Sequence, residues 1–109
     1  MTDQELIASA AKAAGFLYDP TMTGEDGTLV GCYRTDATQT RYVWNPLLDE
    51  EDAIATMFRV KISIEPKEDR IWAHYGYNMH LSEPVNGATL PAFCRVITRV
   101  AAEVGKMYL

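Results

Sequence analysis

One stretch, VKISIEPKEDRIWAHYGY at residues 60–77, constrains the fold more than any other part of the chain. Apolar and polar residues alternate through VKISIE and again through RIWAHY, and a period of two is typical of β-strands with one buried face. PKED between them is a polar connection of four residues, so the stretch predicts a β-hairpin. Since a slip of one residue would exchange the two faces, the register can be predicted and tested.

A loop over residues 66–69 defines the predicted register of this hairpin. The predicted pairs are Glu65 with Arg70, Ile64 with Ile71, Ser63 with Trp72, Ile62 with Ala73, Lys61 with His74 and Val60 with Tyr75. This register collects the isoleucines on one face, which is predicted to lie against the core. The other face is polar and carries one large aromatic residue, Trp72.

The N-terminal residues predict a helix. Thr2 and Glu5 form a capping-box pattern, in which a side-chain oxygen accepts a hydrogen bond from a backbone N–H at the start of the helix. Apolar residues, mostly alanine, then recur at helical spacing until Gly15, a residue type that commonly ends helices. The helix is predicted over residues 3–14.

Another hairpin is predicted earlier in the chain. Residues 28–34 and 40–44 are rich in β-branched and aromatic side chains, and the polar segment TDATQ separates them. If residue 34 lies opposite residue 40, Cys32 lies opposite Tyr42 and the hairpin has one continuous apolar face.

Two more helices are predicted from apolar periodicity. One runs over residues 50–59, and its inner side is predicted to be Ala53, Ile54, Met57 and Phe58. The last begins near Leu90 with Thr89 as its cap. Its predicted buried stripe is Phe93, Ile97, Val100, Ala101 and Val104. Residues 78–87 contain Pro84 and an Asn-Gly step and are predicted to form a loop.

The predicted element order is α-β-β-α-β-β-α in a single domain over residues 1–109. Such an order predicts an α+β fold, with three helices and an antiparallel sheet of about four strands in two hairpins. A chain of 109 residues is long enough to bury one core and too short for two independent ones.

Charge and composition argue against several classes of partner. The net charge is −5 and the ten Lys and Arg residues are scattered, whereas nucleic-acid binding needs clustered cations that displace counterions from phosphates. No apolar run approaches a membrane span, and the N-terminus MTDQELIASAAKAAGF carries acids where a secretory signal has a basic segment. We therefore expect a cytoplasmic protein without membrane contact. Cys32 and Cys94 are isolated and are expected to be two buried thiols.

The acidic run at residues 49–52 resembles a catalytic or metal site most closely. Asp49 and Asp52 are three residues apart, so one helix face could present both carboxylates to a metal ion or a substrate. The stronger interpretation is structural, with Asp49 as the helix cap and the other acids in the first turn, where negative charge is favoured. No EF-hand spacing accompanies the run.

His74 and His80 are the only histidines, and neither an H-E-x-x-H motif nor a Cys-His pair supplies further zinc ligands. Nucleophile-elbow and phosphate-loop motifs are lacking, so we predict no catalytic residue, no metal site and no cofactor. A small metal-binding domain or metal-dependent enzyme that uses Asp49, Asp52, His74 and His80 is the alternative.

Trp72 is the strongest candidate for a contact residue. It is predicted on the polar face of the hairpin, and tryptophan on a wet surface is a common centre of protein interfaces. The predicted partner-binding residues are Trp72, His74, Lys61, Ser63 and Arg70. The alternative is that a neighbouring segment covers Trp72.

Three further places carry a resemblance to a known group. They are Glu5-Leu6 with the alanine-rich run to Gly15, then Trp44-Asn45-Pro46-Leu47 followed by Asp49 and Asp52-Ala53, and finally residues 101–106. In these the chain resembles small proteins of tailed bacteriophages that are grouped as phage α-β-α sandwich domains. It departs from that pattern at Glu51, where a glycine is usual in the group.

The resemblance implies a phage-encoded accessory protein and transfers no catalytic residue. We therefore expect a non-enzymatic protein that binds a host or phage protein in the cytoplasm of the bacterial host. One candidate activity is inhibition of a host factor or of a defence complex such as CRISPR-Cas. A third hypothesis is an assembly role, in which the chain forms a homodimer through a sheet face or edge.

Overall fold

The computed structural model describes residues 2–18, 32–34, 41–42 and 44–107. Three helices and six strands lie in this part of the chain: α1 (Asp3–Ala14), β1 (Phe16–Tyr18), β2 (Cys32–Arg34), β3 (Arg41–Tyr42), α2 (Glu50–Val60), β4 (Ser63–Lys67), β5 (Arg70–Tyr75), β6 (Met79–Pro84) and α3 (Thr89–Gly105). The strands form two antiparallel sheets, ordered β1-β2-β3 and β4-β5-β6. The α+β class with three helices is confirmed, whereas the single sheet of about four strands and the element order are not.

Local capping signals produce α1 as predicted. The Thr2 side chain accepts a hydrogen bond from the Glu5 backbone N–H at 3.2 Å, and Gly15 ends the helix with a left-handed φ of 79°. One face of α1 is buried through small residues, which allows another helix to approach it closely.

The first sheet confirms the predicted pairing where the structure describes it. Cys32 lies opposite Tyr42, and β2 also pairs with β1, a strand that the sequence did not predict. β1 is only three residues long and follows Gly15 directly, so it is too short for a periodic pattern. The predicted strand residues 28–31, 40 and 43 lie outside the described residues.

The second sheet corrects the predicted register. Lys67, rather than Glu65, lies opposite Arg70, and the chain turns through residues 68–69 with a positive φ of 51° at Glu68. The prediction ended the strand before Pro66, but β4 is at the edge of the described sheet, where the missing proline N–H is tolerated. Because the error is two residues, both faces keep their predicted residues from 63 to 75.

The start of β4 is also corrected. Lys61 was predicted opposite His74, but it ends α2 in a left-handed conformation with φ 68°, and Ser63 takes its place opposite His74. Ser63 was predicted opposite Trp72, and Glu65 occupies that position.

The loop predicted over residues 78–87 is largely the strand β6. It pairs with β5 through Tyr75 opposite Met79 and Arg70 opposite Pro84. Its alternation is short: Met79 and Leu81 alternate with His80 and Ser82, but Glu83 breaks the pattern on the core side and Pro84 is typical of a loop. The proline lies at the last residue of an edge strand in the described sheet, where no ladder donor is needed.

The buried side of α2 differs from the prediction. Ala53, Thr56 and Val60 are buried, whereas Ile54 is 39% exposed and Phe58 is 72% exposed. Thr56 can be buried because both its hydrogen-bonding roles are satisfied: its hydroxyl donates to the Asp52 carbonyl oxygen at 2.7 Å and accepts from Trp44 Nε1 at 3.2 Å. A polar residue that is satisfied in this way is not visible in an apolar pattern.

Helix α3 lies at the centre of the described structure, where it contacts α1, α2, β5 and β6. Its predicted stripe is buried at Ile97, Val100, Ala101 and Val104, and Phe93 is half-buried. Further positions are buried as well, because partners lie on several sides of the helix: Ala92, Cys94, Val96, Thr98, Ala102 and Gly105. The predicted Thr89 cap is wrong, since Thr89 is the first helical residue and the capping position is Ala88, without a side-chain bond.

α3 packs on the side of the second sheet where Ile71 and Ala73 are buried, at 3% and 0% exposure. Glu83 of β6 lies on this same side and accepts charged contacts from Arg99 Nη1 at 3.0 Å and Arg95 Nε at 3.5 Å. The helix therefore covers the face of the sheet that carries Ile71 and Ala73. No helix within the described residues is long and apolar enough to cross a membrane.

Candidate functional site

In the acidic run at the start of α2, the carboxylates of Asp49 and Asp52 accept hydrogen bonds from nearby backbone N–H groups. Asp49 caps the helix as predicted, and its Oδ1 accepts hydrogen bonds from the backbone N–H groups of Glu51 at 2.9 Å and Asp52 at 3.2 Å. Asp52 Oδ2 accepts the Asn45 N–H at 2.8 Å, so the two carboxylates serve different backbone groups. Across the described residues, no three Asp, Glu, His or Cys side chains are grouped so that they could hold a metal ion.

Burial raises the pKa of Asp52, and the hydrogen bond from Asn45 opposes that rise. A carboxyl whose folded pKa lies above its unfolded value of 3.8 destabilises the fold as pH rises from that value through the folded pKa. We expect Asp52→Asn to keep an acceptor for the Asn45 N–H and to remove this pH dependence. Urea unfolding between pH 3 and 7 should show the variant gaining stability relative to wild type as pH rises.

Asp52→Ala is the matched control, because it removes the acceptor and leaves the buried Asn45 N–H unsatisfied. It should lose about 1–3 kcal/mol of unfolding free energy at pH 7. If Asp52→Asn follows the wild-type pH dependence unchanged, the assigned cause of the raised pKa is wrong.

A groove of about 540 Å³ lies between the N-terminal ends of α2 and α3. Leu47, Leu48, Leu90 and Pro91 line it together with the acids of residues 49–51, and Cys94 lies at its floor. Burial raises the pKa of the Cys94 thiol, with smaller contributions from Glu50 and Asp49, so the reactive thiolate is disfavoured. The pKa shift of Cys94 is therefore opposite to the shift of an activated cysteine nucleophile.

The second sheet presents a different kind of surface on the side away from α3. We call it the outer face, and its residues are Ser63, Glu65, Lys67, Arg70, Trp72, His74, His80, Ser82 and Pro84. Each of them is exposed or half-buried, whereas Ile71 and Ala73 on the opposite side are buried. Of the five predicted contact residues, four lie on the outer face, and Lys61 does not.

Trp72 lies near the middle of the outer face. Its ring is parallel to the His74 ring within 5°, with 6.4 Å between the centroids, and the indole is half-buried. On the same strand, Arg70 Nε donates to Ser82 Oγ of β6 at 3.0 Å. On β4, Lys67 Nζ lies 3.6 Å from Glu65 Oε2. The aromatic pair is therefore surrounded by side chains that hold one another in place.

A chain of hydrogen bonds crosses all three strands beside Trp72. Glu65 Oε1 lies 3.1 Å from His74 Nε2, His74 Nδ1 lies 2.7 Å from His80 Nδ1, and His80 Nε2 lies 3.1 Å from the Tyr77 carbonyl oxygen. The bond from His74, with the charge of Lys67 as a second cause, lowers the pKa of Glu65. The sequence does not predict these hydrogen bonds, because the loop predicted over residues 78–87 keeps His80 out of the sheet. In the structure, His80 lies on β6 directly opposite His74.

Comparisons with known proteins supply no family for this chain. No protein-family model matches it, and neither a curated protein nor a solved structure matches it. The resemblance to the phage proteins stays a prediction, and the function has to be argued from the outer face and its chemistry.

Proposed function

We propose that this chain is a non-enzymatic, phage-encoded accessory protein that binds another protein through the outer face. The observation that carries the proposal is the Trp72–His74 stack on the sheet face opposite to the buried Ile71 and Ala73. An aromatic residue held in a defined orientation loses little side-chain freedom on binding, which is one reason that tryptophan is frequent among interface hot spots.

The surroundings of Trp72 suit a protein partner. Lys67, Arg70 and Glu65 form a charged rim around the aromatic pair, and an aromatic centre with a polar rim is the usual anatomy of a protein interface. The rim carries charges of both signs, and the whole chain has a net charge of −5. Such a surface would orient a protein partner more than it would attract a polyanion.

The phage assignment is supported by the sequence resemblance alone. The W-N-P-L-x-D element of that resemblance, from Trp44 to Asp49, joins the first sheet to α2. The proposed partner of such a phage protein is a host factor or a defence complex such as CRISPR-Cas. The outer face belongs to the second sheet, so partner binding there would not involve the W-N-P-L-x-D element.

Capture from bacterial host lysate tests the proposal directly. We expect immobilised wild type to enrich a host protein and Trp72→Ala to lose at least nine-tenths of it, about 1.4 kcal/mol or more in binding free energy. Phe58→Ala is the matched control, because it removes an aromatic residue that is 72% exposed on α2, outside the outer face. Melting curves should show that both variants are folded.

Two results would contradict the proposal. One is that wild type enriches no host protein, and the other is that Trp72→Ala retains every partner. Self-association is separated by light scattering across a concentration series, where a dimer that Trp72→Ala dissolves would identify a second copy of the chain as the partner. Edge pairing is disfavoured in the described sheet, since its edge strands β4 and β6 contain Pro66 and Pro84.

A further inference from the structure

The two imidazoles of His74 and His80 face each other across β5 and β6. Both imidazoles direct Nδ1 towards each other, and these two nitrogens are 2.7 Å apart. Each Nε2 faces an acceptor that cannot donate, the Glu65 carboxylate for His74 and the Tyr77 carbonyl oxygen for His80. Both Nε2 atoms therefore carry hydrogen and act as donors.

The proton count follows from these contacts. Two neutral imidazoles carry two N–H protons, and both are used at the Nε2 atoms. Two bare Nδ1 lone pairs would then face each other at 2.7 Å, which is repulsive unless a third proton or another cation lies between them. The site thus holds two nitrogen donors 2.7 Å apart, on rings whose tautomer is fixed by the contacts of the two Nε2 atoms.

We propose that His74 Nδ1 and His80 Nδ1 form a two-nitrogen binding site for a divalent d-block cation, of the class represented by Ni²⁺ and Cu²⁺. Histidines that bind metals characteristically donate the other ring N–H to a carboxylate or a backbone carbonyl, which fixes the tautomer and strengthens the donor. Glu65 and the Tyr77 carbonyl occupy these two positions here. The inference does not depend on the proposed function.

The distance between the nitrogens selects among cations. Metal–imidazole bonds of about 2.0–2.1 Å place two donors about 2.9 Å apart at a 90° angle and about 3.3 Å apart at a tetrahedral angle. The observed 2.7 Å is nearer to the first value, which belongs to the tetragonal and octahedral sites of Cu²⁺ and Ni²⁺. Oxygen-preferring Mg²⁺ and Ca²⁺ are not expected to bind. Water completes the coordination, since the site offers two protein donors.

The position of the pair also favours binding. The two residues are directly opposite on β5 and β6, so the sheet rather than a mobile loop sets their separation. His80 is exposed, Glu65 is bonded to His74, and Lys67 lies 3.6 Å from Glu65. The Glu65 carboxylate would offset part of the cation's charge.

Titration calorimetry of tag-free protein with Ni²⁺ at neutral pH tests the site. Wild type should bind one equivalent, and both His74→Ala and His80→Ala should weaken binding at least tenfold. Glu65→Gln keeps the nitrogens and should weaken binding about tenfold, the usual effect of losing such an orienting group. Ser82→Ala on the same face is the control and should bind like wild type. Zn²⁺ should bind more weakly than Ni²⁺, and Mg²⁺ should produce no heat.

Ni²⁺ should also raise the melting temperature of wild type reversibly with EDTA, and this shift should be absent in His80→Ala. The proposal is wrong if wild type binds no Ni²⁺ at millimolar concentration. It is equally wrong if His74→Ala and His80→Ala, shown to be folded by circular dichroism, bind Ni²⁺ as wild type does.

Discussion

Trp44→Ala is expected to lower the free energy of unfolding by about 3–5 kcal/mol. Trp44 is 2% exposed, and its ring contacts Phe16 edge-on with 5.3 Å between centroids and 68° between planes. The substitution leaves a cavity between the first sheet and α2 and removes the hydrogen bond from Nε1 to Thr56 Oγ1. Urea denaturation measures the loss directly.

Two variants separate the packing and the hydrogen bond. Thr56→Val keeps the volume but leaves the indole N–H without its partner, so it should cost about 1–3 kcal/mol. Leu48→Ala is the exposed control, because Leu48 is 69% exposed and its loss should lie within about 0.5 kcal/mol of wild type. A Trp44→Ala loss no larger than that of Leu48→Ala would show that the strand end is not anchored in the core.

Gly105→Ala should also be strongly destabilising, against the intrinsic preference of a helix. Alanine is favoured over glycine within a helix by about 1 kcal/mol, so propensity alone predicts a gain. A Cβ at residue 105 would, however, overlap the Ser9 carbonyl oxygen and lie 2.7 Å from its carbonyl carbon. Backbone cannot move aside as a side chain can, and we expect a net loss of about 1–3 kcal/mol in urea unfolding.

A double variant identifies the cause of that loss. Ser9 Oγ donates to the Ala102 carbonyl oxygen at 2.6 Å and is itself close to residue 105, so the side chain could be blamed instead of the backbone. Ser9→Ala should fail to rescue Gly105→Ala, because the carbonyl group remains. A stabilised Gly105→Ala, or full rescue by Ser9→Ala, would contradict the close approach of α1 and α3.

Interactions that are local in the chain were predictable. Thr2 and Asp49 cap helices and Gly15 ends one, because each of these devices is complete within a few residues. The faces of the second hairpin were also predictable, since a period of two survives a shift of two residues. Its register was not, because proline is typical of turns and nothing in the local sequence shows that β4 is an edge strand, where Pro66 is tolerated.

Features that depend on distant partners were missed. On α2, Phe58 is exposed although it was predicted on the buried side, and Thr56 is buried in the core. Thr56 can be buried because its hydroxyl accepts a hydrogen bond from Trp44. The candidate site was predicted in part: Trp72 and His74 share a face as expected. Their relation to His80 depends on β6, whose alternation covers only four residues before Glu83 and Pro84.

We propose that the outer face, rather than the acidic start of α2, contacts the partner. Amide hydrogen exchange of the chain with and without the captured partner distinguishes the two surfaces. We expect slower exchange in β4, β5 and β6, with α2 unchanged. Protection over residues 50–58 with no change in the three strands would contradict it.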